Sequence, residues 1–324
     1  MKRLLAAGAI LAVAALPLTA CGTTEPVTRQ ASSAGAVTLT DATGTTVHLD
    51  APAAKVVGTE WNAVEDLVSL GITPAGVADV KGYRDWDSAV PLKGSPTDIG
   101  KRNEPSTDKI AALAPDLIVT TTDLPASAVT QFRRIAPTLV IESAKASDQL
   151  GVLKQNLDLI ARATGRTGTA TSVWQRFEST LAAARKKLAR AGLAGQHVAF
   201  ADGYVTADKV TLRPYTAGSA LGTVNTQLGL ANAWSVRGDK AYGLGSTDVE
   251  GLTALPADTT FLYIENDADS TTPFTTALRD NRVWTSLPFV QSGDTHRLPD
   301  GIWMFGGPDS MAAYADAVVS ALTK

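Results

Sequence analysis

The chain has a single cysteine among 324 residues, so an intramolecular disulfide is excluded and stability has to come from core burial. Histidine is almost as scarce. His48, His197 and His296 are dispersed and have no cysteine partner, which argues against a transition-metal site built by the protein itself. Each reads as a surface or strand-edge residue. No phosphate loop is present, and "GLGSTDVEG" lacks the strand-turn-helix spacing of a dinucleotide fingerprint. No "GxSxG" elbow accompanies the histidines. His296, the one nearest any loop cluster, has no nucleophilic partner, so the residues point away from an enzyme. Basic residues are not in excess either: 29 stand against 32 acidic ones, for a net charge of -3, which argues against nucleic acid as a partner.

The N-terminus is apolar but short. "MKRLLAAGAILAVAALPLTACGTTEP" has two basic residues, an apolar run from Leu4 to Leu18, small residues and then Cys21, the pattern of a secretory signal rather than a membrane span. Loss of residues 1–20 removes Lys2 and Arg3 and no acid, leaving 27 basic against 32 acidic side chains, a net of -5. Residues 21–36 lack hydrophobic periodicity and are rich in Thr, Ser, Gly and Ala, as in a flexible tether. What remains is too long for one simple core and predicts two lobes.

"VTLTDATGTTVHL" alternates around an Asp-Ala-Thr-Gly turn and predicts a β-hairpin on a sheet edge. From "KVVGTE" to "TLVIES" short strands alternate with short helices, the pattern of a parallel sheet covered on both faces. These residues, 37–146, form the first lobe. Residues 147–165 carry Leu150, Leu153, Leu157 and Ile160 at helical spacing, from a capping Ser147 to Gly165, and predict a connecting helix. The second lobe, 166–324, begins with another helix that carries Val173, Phe177, Leu181, Ala184 and Leu188 on one face. Strands resume at "HVAFADGY", "KVTLRPY", "TFLYIEN" and "DTHRLP". The fold class is therefore α/β, with two lobes of mainly parallel sheet joined by a long rigid helix and a ligand cleft between them.

Aromatics are few, and most sit among Gly, Pro and Asp on connections, where function concentrates. Trp61 lies in "EWN"; Tyr83, Arg84 and Trp86 in "KGYRDWD"; Arg213 and Tyr215 in "LRPY"; Tyr242 in "KAYGLGS"; and Trp303 and Phe305 in "DGIWMFGGP". Trp174, on a helical face, and Trp284, before "SLPFV", read as core. Arg102 precedes a Glu-Pro and a short helix, where helix-terminal N–H groups already favour negative charge, so an electron-rich oxygen is the expected partner.

"LTAC" resembles the lipobox of bacterial lipoproteins, in which the cysteine is diacylated and becomes the mature first residue. "DIGKRNEPSTDKIAALAPDLIV", "AYGLGSTDVEGLTAL" and "VWTSLPFVQSGDTHRLPDGIWMFGGP" resemble successive blocks of the iron-siderophore binding lipoproteins of bacterial ABC importers, of the hydroxamate-binding type. The resemblance runs from about residue 37 to the C-terminus. It implies two lobes joined by a long helix, a shallow cleft that opens little, and an extracytoplasmic protein anchored through lipid on Cys21. The partners it implies are a ferric siderophore, a permease and its ATPase, with iron held by the siderophore and no cofactor of the protein's own. It makes Arg102 the arginine that hydrogen-bonds the iron-bound hydroxamate oxygens, Trp303 a cleft tryptophan, and Tyr242 the occupant of an aromatic position. Asp108 and Glu250 match the carboxylates, one per lobe, that meet permease arginines. Where some relatives place a tyrosine after "DLIV", this chain has Leu124. The protein is expected to be a monomer.

A ferric trihydroxamate is neutral at the metal, with oxygens at one pole and apolar linkers around it. One guanidinium and flat aromatic walls suit it. A triscatecholate would ask for several unopposed cations, whereas Arg84 is flanked by Asp85 and Asp87. The alternatives are a catecholate, cobalamin or haem in the same fold, with Tyr83, Tyr215 and Met304 as formal axial ligands for haem, and a secreted hydrolase acting on siderophores.

Overall fold

The computed structural model describes residues 35–207, 209–269 and 271–324. The expected signal segment, Cys21 and nearly all of the expected tether lie outside them. Among the described residues no helix is long and apolar enough to cross a membrane.

Lobe one opens with a hairpin of β1 (Val37–Thr40) and β2 (Thr46–Leu49), whose turn is fixed by Asp41 accepting from the N–H groups of Thr43 and Thr45. It is a separate two-stranded sheet, not an edge of a larger one. Then follow β3 (Val56–Gly58), α1 (Trp61–Ser69), β4 (Gly76–Val77), α2 (Val80–Trp86), β5 (Thr97–Asp98), β6 (Gly100–Lys101), β7 (Glu104–Pro105), α3 (Thr107–Leu113), β8 (Leu117–Thr121), α4 (Ala126–Arg133) and β9 (Thr138–Ile141). Five of these strands form a parallel sheet in the order β5-β4-β3-β8-β9. The chain winds outward from β3 to one side and then crosses to β8 on the other. Beyond the carboxyl ends of β3 and β8 this leaves the switch-point crevice where open α/β sheets hold ligands.

Both faces of the sheet are covered, and the two-residue period of a strand decides which side chain goes where. Val56, Leu117 and Val119 enter a core shared with the hairpin, while Val57 and Ile118 enter the opposite one with Ile110 and Phe132.

Two long helices follow. α5 (Gln149–Thr164) starts on Asp148, which accepts from Gly151 N–H at 3.1 Å, so the cap is Asp148 and not Ser147. It ends at Gly165 with φ 69°, a left-handed stop that glycine adopts without strain. Its Leu157, Leu159 and Ile160 pack into lobe one. α6 (Thr167–Arg190) has 24 residues, about 36 Å of helix. Ala170 and Val173 join the lobe-one core, while Phe177, Leu181, Ala184 and Leu188 join that of lobe two. α6 therefore reaches both cores, and so does α5 in the expected connector at 147–165, whose Leu150 and Leu153 rest against the inner cluster and whose Gln149 donates to Gly218 O and Ala241 O of lobe two.

Lobe two contains β10 (His197–Thr206), β11 (Lys209–Pro214), α7 (Ala220–Gln227), β12 (Ala231–Asn232), a 3-10 turn (Glu250–Ala254), β13 (Thr260–Tyr263), α8 (Arg282–Ser286), α9 (Pro288–Gln291), β14 (Thr295–Arg297) and α10 (Pro308–Leu322). Its sheet runs β11-β10-β13-β14, with β12 beside the start of β10, and is parallel except for the β10–β11 hairpin. Val198, Phe200 and Leu262 face α6 and α10, while Ala199, Ala201 and Phe261 face the outer core. The inner core also takes in Trp61, Val64, Val77, Val80 and Tyr83 from lobe one, so one apolar cluster runs beneath the cleft.

Candidate functional site

Between the lobes lies a cleft of about 510 Å³ at the switch point. Lobe one contributes Glu60, Trp61 and Asn62 from the end of β3 and start of α1, Trp86 from the end of α2, Arg102, and Asp123 after β8. Lobe two contributes Asp202 and Tyr204 from β10, Arg213 from β11, Tyr242 from a loop, and Trp303, Met304 and Phe305 from the turn before α10.

Arg102 sits at the two-residue tip between β6 and β7, outside α3 itself. Its guanidinium donates to Glu60 Oε1 at 2.6 Å, and the same oxygen caps α1 by accepting from Trp61 N–H at 3.0 Å. The guanidinium carbon lies 4.0 Å from the Trp61 ring centroid and 5.1 Å from that of Trp303. A cation held over two indoles, with one carboxylate behind it, is fixed before any ligand arrives. Trp61 is itself anchored by donating its indole N–H to Ala78 O at 3.0 Å, and its ring meets Trp303 at 4.7 Å, edge to face.

Arg213 lies directly across the β10–β11 ladder from Asp202, which it engages through two N–H groups, one of them Nε at 2.8 Å. Its guanidinium carbon lies 5.3 Å from the Phe305 centroid. Tyr242 is positioned by Asp239, whose carboxylate accepts from the N–H groups of Ala241, Tyr242 and Leu244. Burial works against that carboxylate, but the three N–H groups, led by Leu244, hold it below its usual range. The next residue, Gly243, has φ 66° and lies so close to Gly218 that an added Cβ would sit 2.3 Å from that backbone, so only glycine fits. The Tyr242 hydroxyl donates to Asp123, a bond that joins the lobes across the cleft.

Trp61, Trp86, Arg102, Arg213, Tyr242, Trp303 and Phe305 are thus brought together, and three other expected residues are not. Tyr83 and Arg84 lie within α2 rather than on a loop. That helix starts at Asp79, in a left-handed conformation with φ 52°, and its period turns Tyr83 fully inward, where the hydroxyl donates to Val90 O at 2.8 Å. Arg84 turns outward and donates to Gly94 O. Tyr215 is buried behind the cleft against Phe305 and donates to Asp202 at 3.2 Å. Both tyrosines are withdrawn from the cavity, so neither is placed as an axial ligand, which leaves Met304 alone on the lining.

Trp284 is core, packed among Phe261, Phe274 and Phe289. Trp174 is only half-buried: its N–H donates to Glu178 at 2.8 Å and its ring meets Phe177, because it lies at the edge of the α6 apolar stripe. Leu124 lines a second groove beside the cleft. Asp108 and Glu250 are exposed in the first turns of α3 and the 3-10 turn, one on each lobe.

Sequence reasoning missed Tyr204, the one large exposed aromatic among the described residues, at 53% exposure. The signal was available, since strand alternation puts it on the same face as Asp202. It also missed the carboxylates Glu60, Asp123 and Asp202 that partner the expected arginines and tyrosine. Beneath the cleft it missed Glu65 and Asp66, and it took Asp87 only for a charge beside Arg84; all three are buried, packed under the start of α10. Glu65 accepts from Ser310 N–H at 2.9 Å, and Ser310 Oγ donates to Asp87 at 3.3 Å. Burial pushes all three carboxyls above the usual range, reinforced by the charge of Glu65 at Asp66 and Asp87 and by that of Asp309 at Glu65. One oxygen on each has no hydrogen-bond partner, and neither does the buried indole N–H of Trp303. Among the described residues no group of three His, Cys, Asp or Glu is arranged to hold a metal ion.

Residues 56–301 match the family model described as periplasmic binding protein. The chain is 25% identical over 256 residues to the iron(3+)-hydroxamate-binding protein FhuD of Escherichia coli, covering 78% of this chain and 81% of that one. It is 26% identical over 324 residues to the probable siderophore-binding lipoprotein YfiY of Bacillus subtilis, covering 97% and 96%. The crystal structure of Fe3+-Desferal-bound siderophore-binding protein FhuD from Vibrio cholerae superposes with a TM-score of 0.70 at 26% identity, covering 83% of this chain and 97% of that one.

Proposed function

The chain belongs to the periplasmic binding proteins, and from that premise we propose that it is an extracytoplasmic lipoprotein that captures a ferric hydroxamate siderophore and delivers it to an ABC permease for iron uptake. The family binds and releases its cargo without catalysis. The observation that carries this reading is the preorganised guanidinium of Arg102, set in a cleft whose other walls are Trp61, Trp86, Tyr242, Trp303 and Phe305. Its remaining N–H groups suit the oxygens of an electrically neutral iron centre, and the ring faces suit the methylene linkers. Relatives named for hydroxamate and Desferal binding support the same ligand class.

In this reading Asp108 and Glu250 face the permease, and lipid on Cys21 holds the protein at the membrane. Each carboxylate also favours its own helical N-terminus, a role compatible with docking. The test is tryptophan fluorescence during titration with ferrioxamine, ferrichrome and iron-catecholate complexes. Trp61, Trp86 and Trp303 line the cleft, so a bound hydroxamate complex is expected to quench emission saturably. Saturable quenching by the catecholate alone would overturn the assignment.

A further inference from the structure

The charge of the cleft narrows the ligand class further, on the premise that the ligand is a ferric hydroxamate. Among the described residues the lining carries four carboxylates, of Glu60, Asp123, Asp202 and Asp269, against the two guanidiniums of Arg102 and Arg213. Each guanidinium already has its own carboxylate, Glu60 for Arg102 and Asp202 for Arg213. The negative excess therefore resides on Asp123 and Asp269. Asp269 lies at the rim, exposed. Asp123 occupies the switch point after β8, where the cleft continues into a groove of about 880 Å³ that shares Glu60, Arg102 and Asp123 with it and adds Asp79 and Lys101. The Tyr242 hydroxyl binds Asp123 Oδ2 and holds the carboxylate in place. Its Oδ1 accepts no hydrogen bond among the described residues.

We propose that Asp123 is a specificity-determining residue that receives a protonated amine carried on a flexible arm of the ligand, with the arm lying in the adjoining groove. The iron centre sits under Arg102 and needs no further cation. A carboxylate already fixed by a tyrosine loses little freedom on meeting an ammonium group, and Coulomb attraction across a few ångströms favours the charged ligand over its neutral counterpart. The same excess of negative charge opposes an anionic complex.

The test compares two probes that share one iron-hydroxamate centre and differ by one charge: the iron(III) complex of desferrioxamine B, which has a free amine, and that of its N-acetyl derivative. Affinities are measured by fluorescence titration. The amine complex is expected to bind about two- to fivefold more tightly at low ionic strength, with the ratio shrinking as salt is raised. In Asp123→Asn the ratio is expected to fall toward one, with a thermal melt confirming that this exposed position leaves the fold intact. Equal binding of the two complexes by the unaltered protein would overturn the proposal and leave the hydroxamate reading standing. A ratio that survives in Asp123→Asn but falls in Asp269→Asn would overturn the assignment of the residue. Binding of neither complex would overturn the proposal, and ferrichrome in the same titration then decides whether the hydroxamate reading stands.

Discussion

Glu65 gives the protein a pH dependence of stability opposite to that of an ordinary surface carboxylate. Its side chain is fully buried, and desolvation, partly offset by hydrogen bonds from Ser310 and Gly307, raises its pKa from 4.5 to about 7. Below pH 4.5 both the folded and the unfolded chain hold this proton, and the residue makes no pH-dependent contribution. As pH rises through 4.5 the unfolded chain releases the proton while the folded chain keeps it, so stability falls until about pH 7 and then levels off. At about 1.36 kcal/mol per pKa unit the loss is on the order of 3 kcal/mol, with Asp66 and Asp87 drawing on the same cluster. A chain of this size shifts its melting temperature by roughly 1–2 °C for each kcal/mol. Glu65→Gln keeps an oxygen for the Ser310 N–H and removes the titration. Thermal melts followed by circular dichroism at pH 5, 6, 7 and 8 are expected to show a falling melting temperature in the unaltered protein and a flatter profile in the variant. Parallel profiles would refute the reasoning, because the cost of ionising the cluster would then lie elsewhere.

Arg102→Ala is expected to weaken ferric-hydroxamate binding by about 2 kcal/mol in a fluorescence titration, through loss of a charge-assisted hydrogen bond, while the melt stays close to that of the unaltered protein. Trp284→Ala is expected to destabilise by about 3–5 kcal/mol in urea unfolding because it empties the outer core of lobe two, whereas Trp174→Ala, on a half-buried helix edge, is expected to cost less than half of that. Combining Asp108→Ala with Glu250→Ala is expected to leave siderophore affinity within about twofold and to lower uptake through the cognate permease, with Lys at either position more damaging than Ala through like-charge repulsion; normal uptake by the double variant would leave both residues with only their first-turn helical role.

The alternation of strands and helices was legible because it rests on local periodicity: β3, β8, β9, β10 and β13 all lie where short apolar runs placed them. The cleft aromatics were legible in part, because a tryptophan among Gly, Pro and Asp rarely serves a strand interior. What failed at "KGYRDWD" was the reading of a loop where a seven-residue helix stands, since the left-handed Asp79 that starts it has no distinctive local signature. Once helical, the segment sends Tyr83, Arg84 and Trp86 in three different directions. The acidic partners were illegible for a different reason. Glu60 and Arg102 are 42 residues apart, and Asp123 and Tyr242 are 119 apart, so only the closed tertiary structure pairs them.

Those pairings decide what kind of binding protein this can be. An arginine left free in the cleft would attract anionic complexes strongly and would lose its rotamer freedom on meeting them. Here Glu60 and the Trp61 and Trp303 rings meet that ordering cost within the protein itself, and the carboxylate offsets the positive charge that an anion would seek. The shared apolar cluster below acts in the same direction. Trp61, Val64 and Tyr83 of lobe one pack in one core with Phe200, Tyr215 and Trp303 of lobe two, so opening the cleft widely would return that surface to water at about 25 cal/mol for each Å². A site preformed in this way, with its arginines already paired and its walls tied together, selects by shape and by residual charge rather than by closing around whatever enters.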